Sequence, residues 1–176
     1  MNTAKEWENY LYNLKEGDLP FLYEKKFEVL IRTIEDVLNI QITLGKFDIE
    51  ERTKELGYNI LDSDLVYGYY YGFCDVVSRS STYTGVKEIF IIWANVIRHL
   101  NKLSNNVKDF SHFFSLIQTK FLKDKKSDCY KGIRVGNEDG LNWMRGFVDF
   151  VKKENHSGEL IFGLLTLLKT HKFKKK

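Results

Sequence analysis

The sequence predicts an all-α fold, with residues 1–176 forming a single domain of about seven to eight helices. Apolar residues recur with the 3.6-residue period of a helix along most of the chain. Proline occurs once in 176 residues, so long helices can run without interruption. Apolar residues make up 43% of the chain, which is enough for a sizeable core. The segment IQITL, residues 40–44, is the one candidate for a short strand.

The first two helices are predicted from capping residues and apolar spacing. Thr3 followed by Glu6 fits a capping box, in which both side chains satisfy backbone N–H groups at a helix start. Gly17 ends this first helix. Pro20 suits the first turn of the second helix, because the N–H group that proline lacks would be unpaired there anyway. Apolar residues three and four apart then continue the helix to about residue 39.

The third and fourth helices have clear boundaries in the sequence. Asp48 begins the segment DIEERTKEL, and Gly57 ends it. Ser63 or Asp64 begins the fourth helix, which runs to about residue 79. This helix contains the segment YGYYYGFCD, and the loop SSTYTG follows it.

The second half of the chain predicts four more helices and one long loop. Helices five and six cover residues 86–103 and 107–123, helix seven covers residues 140–154, and helix eight covers residues 157–170. Residues 124–140 show no apolar period and are predicted to be the longest loop. This loop includes GIRVGNEDG, which lacks the Lys and Ser/Thr of a phosphate-binding loop. Its three glycines, spaced four apart, therefore indicate turns.

A degenerate internal repeat is indicated by two similar helix segments. YYYGFCDVVSR and WMRGFVDFVKK share Gly, Phe, Asp and Val at matching positions, and a strongly apolar helix follows each. The repeat units would be residues 44–103 and 117–171, with chance similarity as the alternative. Glycine inside a helix costs about 1 kcal/mol relative to alanine. Gly72 and Gly146 are therefore both predicted to lie where another helix approaches closely.

Charge and composition limit the classes of function. The formal net charge is +3, but the basic tail, residues 169–176, holds five lysines, so residues 1–168 carry about −2. This distribution argues against a general nucleic-acid-binding protein, which would spread basic residues over a face. The tail itself fits a solvated terminus. The start of the chain does not resemble a signal peptide, and no apolar run approaches the roughly 20 residues of a membrane span. We expect a cytoplasmic protein.

No constellation of residues indicates catalysis. The four histidines lie outside any metal-binding motif, and the two cysteines, Cys74 and Cys129, form no CxxC pair. No nucleophile elbow or Walker loop is present. We therefore expect no enzyme activity, no cofactor, no metal and no small-molecule substrate.

The tyrosine cluster is the strongest candidate for a binding surface. Tyr67 and Tyr71 lie on one face of the predicted helix, and Tyr70 lies beside them. Exposed tyrosine is common in protein interfaces, so these three side chains are predicted to anchor a protein partner. Asp62 and Asp64 would attract a basic partner by long-range charge. The alternative is a half-buried helix whose hydroxyl groups reach the surface.

In overall character the chain resembles bacterial immunity proteins of contact-dependent growth inhibition systems. The resemblance covers the whole chain and consists of abundant Lys, Asn, Ile, Tyr and Phe, scarce proline, the aromatic segment YGYYYGF and no catalytic motif. It implies a protein that binds and neutralises one cognate toxin domain, often a nuclease. The chain departs from this type in its charge, because immunity proteins against nucleases are commonly acidic.

The alternative function is a small nucleic-acid-binding regulator with a degenerate helix-turn-helix at residues 48–79. DIEERTKELGY would supply the first helix and its turn glycine, and the tyrosine helix would read the bases. That second helix offers mainly Tyr, Gly and Val where Arg, Lys, Asn or Gln usually read base edges. A protein partner therefore remains the first expectation.

Overall fold

The structure, a computed structural model, describes residues 25–81, 85–101, 124–151 and 162–173. These residues form six α-helices and two short 3₁₀ turns, with no strand among them. The prediction of an all-α fold is confirmed. The predicted helices at residues 3–17 and 107–123, and the start of the predicted last helix at residue 157, lie outside the described residues.

The helices are α1 (Glu28–Leu44), α2 (Lys46–Leu56), α3 (Asp64–Ser80), α4 (Val86–Leu100), α5 (Asp128–Val151) and α6 (Gly163–Thr170). The 3₁₀ turns, Lys25–Phe27 and Ile60–Asp62, precede α1 and α3. Buried side chains from all six helices meet in one core, with the indole of Trp93 fully enclosed. Within the described ranges, no helix combines the length and the hydrophobicity that crossing a membrane requires.

The predicted start of the fourth helix and the predicted end of the third are confirmed, whereas the third begins at Lys46, two residues before Asp48, with no side-chain cap. The side-chain oxygen of Ser63 accepts a hydrogen bond from the N–H of Val66 at 3.4 Å, as expected of a residue that caps α3. Gly57 ends α2 with a backbone φ of 76°. Glycine reaches this left-handed conformation without the steric cost that other residues meet.

The predicted strand at residues 40–44 is wrong, because these residues form the last turns of α1. Helical geometry turns Leu38 and Gln41 toward the core together with Ile34. The β-branched residues of IQITL favour a strand locally, but tertiary contacts of the buried Gln41 hold the segment in the helix.

The predicted loop at residues 124–140 is also wrong, because α5 begins at residue 128 and includes the three glycines. Helix α5 lies directly against α3, the tyrosine helix. A methyl group added to Gly136 would lie 2.1 Å from the carbonyl oxygen of Tyr69. One added to Gly72 would lie 2.2 Å from the carbonyl oxygen of Ile133. The two backbones are therefore in direct contact.

We call this contact the glycine crossing, formed by Gly68 and Gly72 of α3 and by Gly132 and Gly136 of α5. Methyl groups on Gly68 and Gly132 would likewise approach backbone oxygens of the facing helix to 2.0 Å. Small residues four apart form a smooth helix face that lets two helices approach closely, an arrangement best known from membrane proteins. The glycine spacing that indicated turns in fact provides the contact between the two helices.

The expectation that Gly146 also lies at a close helix contact is wrong. A methyl group on Gly146 would meet no atom of the described residues within 4 Å, whereas one on Gly72 would overlap the facing backbone. The matched glycines thus have unlike environments, which removes the packing argument for the repeat. Within the proposed repeat units, residues 82–84, 102–103, 117–123 and 152–161 lie outside the described residues.

Candidate protein-binding surface

The tyrosines predicted as anchors are mostly inside the protein. Tyr67 is 2% exposed and Tyr70 is fully buried, so the structure contradicts the exposure on which their predicted role depends. The carbonyl oxygen of Tyr67 accepts a hydrogen bond from the indole N–H of Trp93 at 3.1 Å. The Tyr70 hydroxyl has no hydrogen-bond partner among the described residues. Burial raises the pKa of both phenols above the ordinary value, so both stay neutral.

The other predicted site residues lie nearer the surface. Tyr71 is half-buried, and its ring contacts the rings of Phe90 and Trp93 at centroid distances of 5.7 Å and 5.1 Å. Asp62 accepts hydrogen bonds from the Tyr67 hydroxyl at 3.4 Å and from the Asn101 amide at 2.7 Å. Asp64 lies in the first turn of α3 and is partly exposed. The tyrosine segment therefore functions mainly as a core helix, with only its rim near solvent.

A buried polar network connects four helices through the hydroxyl of Tyr69. This hydroxyl donates to Asp139 Oδ2 at 2.5 Å and accepts from Gln41 Nε2 at 2.9 Å. The same Asp139 oxygen accepts from the N–H of Gly163 at 2.9 Å, and Gln41 Oε1 accepts from the N–H of Leu164 at 3.1 Å. Asp139 and Gln41 thus satisfy two backbone donors at the start of α6 that have no partner within the helix.

Burial sets the protonation behaviour of this network. It raises the pKa of Asp139 above the ordinary value, although the hydrogen bonds from Tyr69 and Gly163 act in the opposite direction. Burial and the Asp139 carboxylate also raise the pKa of Tyr69, so the phenol remains a proton donor. A methyl group on Gly163 would lie 2.5 Å from Asp139 Oδ2. The carboxyl group therefore occupies space that any other residue at the start of α6 would take.

The opposite end of α6 is held by α2. Arg52 donates hydrogen bonds to the carbonyl oxygens of Lys169 at 2.5 Å and His171 at 3.0 Å. Asp48 pairs with the Lys169 ammonium at 3.2 Å. A cation near the last carbonyls is favourable because they carry the negative end of the helix dipole.

His99 and Glu35 form a half-buried polar contact between α4 and α1. His99 Nδ1 donates to Glu35 Oε1, while Arg98 donates to His99 Nε2 at 2.5 Å. Burial raises the pKa of Glu35, and the contact with His99 partly offsets this effect. Both nitrogens of the ring are engaged, so the geometry indicates a structural tie between two helices.

One surface of the protein exposes clustered large apolar side chains. We call it the apolar stripe; it consists of Val29, Ile40, Leu44 and Phe47, which are 78%, 54%, 61% and 76% exposed. These four are among six exposed large apolar side chains in the described ranges, the other two being Leu141 at 47% and Phe162 at 44%. Scattered exposed apolar residues need no explanation, whereas a group on one face is a candidate interaction site.

Helix geometry aligns the members of the stripe. Ile40 lies eleven residues after Val29, close to three full turns, and Leu44 follows one turn later. Between α1 and α2 the helical hydrogen bonds continue, with the Gly45 N–H donating to the Gln41 carbonyl and the Ile49 N–H donating to the Gly45 carbonyl, both at 2.9 Å. Phe47 therefore follows Leu44 on the same face, at the start of α2.

The stripe lies on the acidic part of the chain. Residues 28–56, which form α1 and α2, hold seven acidic and four basic side chains, a net charge of −3. Asp36, Glu50 and Glu51 are exposed on the same two helices. Whole-chain charge conceals this local excess, because the five lysines of residues 169–176 outweigh it.

Sequence reasoning missed the stripe because the predicted helix ended at about residue 39 and residues 40–44 were only a candidate strand. Extending α1 to Leu44 shows two apolar faces, one with Ile34 and Leu38 and one with Ile40 and Leu44. A helix with apolar residues on two faces must bury one and expose the other or bind a partner. That signal was available in the sequence once the helix boundary was placed correctly.

The helix-turn-helix alternative stays a prediction, and much of α3, its proposed recognition helix, is buried. A recognition helix must present one face to the major groove. In α3, buried residues cover the faces that meet α4 and α5, including the tyrosines proposed to lie at the start of the recognition helix.

Compared with protein-family models, curated proteins and solved structures, the chain gives no match. In the part of the chain that the structure describes, no group of three or more His, Cys, Asp or Glu side chains is arranged to hold a metal ion.

Proposed function

We propose that this chain is a non-catalytic binding protein that neutralises a basic protein domain by docking it on the apolar stripe. The observation that carries the proposal is the cluster of Ile40, Leu44 and Phe47, each more than half exposed, on an acidic pair of helices. The resemblance to immunity proteins of contact-dependent growth inhibition systems supports a toxin domain as the partner. A nuclease toxin fits best, because nucleic-acid-binding surfaces are basic.

Binding energy would come from the apolar side chains. Phenylalanine is enriched in interfaces, and an anchor at an interface centre typically contributes about 2 kcal/mol or more. Phe47 and Leu44 extend from neighbouring turns on either side of Gly45, so a partner could bury both in one contact. Covering them would remove from water two of the four side chains of the stripe.

The acidic side chains around the stripe would raise the rate at which a basic partner associates. Charges at an interface rim speed encounter with an oppositely charged partner, and salt weakens the effect. Asp36, Glu50 and Glu51 are placed for this role, which Asp62 and Asp64 were expected to fill. Neutralising Asp36 and Glu51 should therefore slow association at low salt and leave dissociation almost unchanged.

The test uses the product of the gene directly upstream as the candidate toxin. We expect its expression to stop growth, and co-expression of this chain to restore growth. Leu44→Ser and Phe47→Ser should each weaken binding of the purified toxin by about 10-fold or more, since 1.4 kcal/mol corresponds to a factor of ten. Isothermal titration measures the affinity, and circular dichroism checks that each variant remains folded.

Leu141→Ser is the matched control, because Leu141 is also a mostly exposed leucine on a helix but lies outside the stripe. It should bind as the parent does. The proposal is wrong if the chain does not restore growth, or if folded Leu44→Ser and Phe47→Ser variants bind the toxin as tightly as Leu141→Ser. Binding of duplex DNA by the parent protein with no affinity for the toxin would favour the nucleic-acid alternative instead.

A further inference from the structure

The joint between α1 and α2 is a single residue, Gly45. Its backbone angles, φ −91° and ψ 6°, depart from helical values, while α1 ends at Leu44 and α2 begins at Lys46. The apolar stripe extends across this joint, with Leu44 on one side and Phe47 on the other. Helical hydrogen bonds run across Gly45, but its non-helical angles let elements that contact both helices adjust their relative orientation.

Helix α6 contacts both helices and the joint itself. At its start, the Leu164 N–H donates to Gln41 of α1 at 3.1 Å. At its end, Arg52 of α2 donates to the carbonyl oxygens of Lys169 and His171. In the middle, the Leu165 side chain lies against the joint, where a methyl group on Gly45 would be 2.3 Å from Leu165 Cδ2.

The buried network fixes α6 to the rest of the core. Gln41 and Asp139 both bind the start of α6 and both contact the Tyr69 hydroxyl of α3. The position of α6 is therefore fixed relative to α3 and α5, the helices that form the glycine crossing. Through these hydrogen bonds, α6 connects the α1–α2 joint to the buried core.

We infer that α6 sets the relative orientation of α1 and α2 and thereby positions the two halves of the apolar stripe for binding. This inference rests on the proposed function for its consequence, but the orientation itself can be measured without a partner. Arg52 and Leu165 are the positioning residues. Neither belongs to the stripe. Leu165 contacts the joint, and Arg52 binds the end of α6.

The structural test measures a distance between spin labels on the two helices. The exposed residues Arg32 and Glu55 are replaced by cysteine and labelled. The native Cys74 and Cys129 are buried, and burial raises the pKa of the Cys74 thiol, so neither should react in the folded protein. With 1.5 Å rise per residue, the two arms are about 18 Å and 14 Å long, so a change of angle at the joint changes the distance between the labels.

We expect one narrow distance in the parent protein by double electron–electron resonance. Arg52→Met and Leu165→Ala should each shift the mean label distance or broaden its distribution about twofold. Lys54→Met, which removes an exposed cation from the same helix, should match the parent. Unchanged distances in both folded variants would overturn the inference. If one variant does not fold, the other decides the test.

Affinity for the candidate toxin provides the functional readout. Arg52→Met should weaken binding by roughly 10-fold, while Arg52→Lys, which can reach one carbonyl, should recover part of it. Shifted distances with no toxin binding by the parent would leave the role of α6 standing and refute the proposed function. Tight binding of the toxin by the parent, with unchanged label distances in the variants, would support the proposed function and refute the role of α6.

Discussion

Replacing Gly136 by alanine should destabilise the protein, although alanine is the better helix former. The added methyl group would lie 2.1 Å from the Tyr69 carbonyl oxygen, about 1.3 Å closer than an ordinary contact of 3.4 Å. The obstacle is backbone, so it cannot rotate away as a side chain could. Helices α3 and α5 must therefore separate along the glycine crossing, and a gap of about 1 Å forfeits up to half of the dispersion energy of each affected contact.

The expected magnitude follows from two opposed contributions. Overpacking costs typically 1–3 kcal/mol, and this site should reach about 3 kcal/mol because several backbone contacts open together. The higher helix propensity of alanine offsets about 1 kcal/mol of this cost. Gly136→Ala should therefore lower the free energy of unfolding by about 2 kcal/mol. Gly146→Ala, the same change in the same helix, should raise it by up to about 1 kcal/mol, because no atom of the described residues lies within 4 Å of the new methyl group.

Urea unfolding followed by circular dichroism measures both variants against the parent. Helix propensity is common to the two substitutions, so their difference of about 3 kcal/mol isolates the close contact. Equal unfolding midpoints for Gly136→Ala and Gly146→Ala would refute the account of the crossing. Gly72→Ala repeats the test from the α3 side, where the new methyl would lie 2.2 Å from the Ile133 carbonyl oxygen.

Two further predictions concern the buried hydroxyls and the buried carboxyl group. Tyr69→Phe should destabilise by about 1.5–3 kcal/mol, because Asp139 and Gln41 Nε2 each lose the hydrogen bond to the hydroxyl. Tyr70→Phe should be nearly neutral or stabilising, because its hydroxyl is unpaired among the described residues; equal urea midpoints for the two variants would contradict this. Since burial raises the pKa of Asp139 above 3.8, the stability contributed by its protonated form is present below pH 3.8 and is lost as pH rises through the raised value. The amide of Asp139→Asn stays neutral, so the free energy of unfolding of this variant, relative to the parent, should increase toward neutral pH in urea titrations. A difference in free energy that does not change with pH would show that the carboxyl group is not desolvated.

The helices of the first half follow from the sequence because their signals are local. Ser63 caps α3 with its own side chain, and Gly57 ends α2 through its own backbone freedom. Such signals depend on a few neighbouring residues and survive in any tertiary context. The all-α class follows in the same way, from an apolar period that no strand would produce.

The roles of the glycines and tyrosines depend on contacts far apart in sequence. Glycine carries no side chain and so contributes nothing to an apolar period. For this reason residues 132–140 resemble a loop in the sequence, although they form part of a helix that packs against α3. Because that glycine face lets α5 approach the backbone of α3, α5 encloses the tyrosine helix on one side while α4 contacts another, and Tyr70 becomes buried. Composition alone cannot show which of two apolar faces meets the core, so only the tertiary structure placed Ile34 inside and Leu44, ten residues later on the same helix, in water.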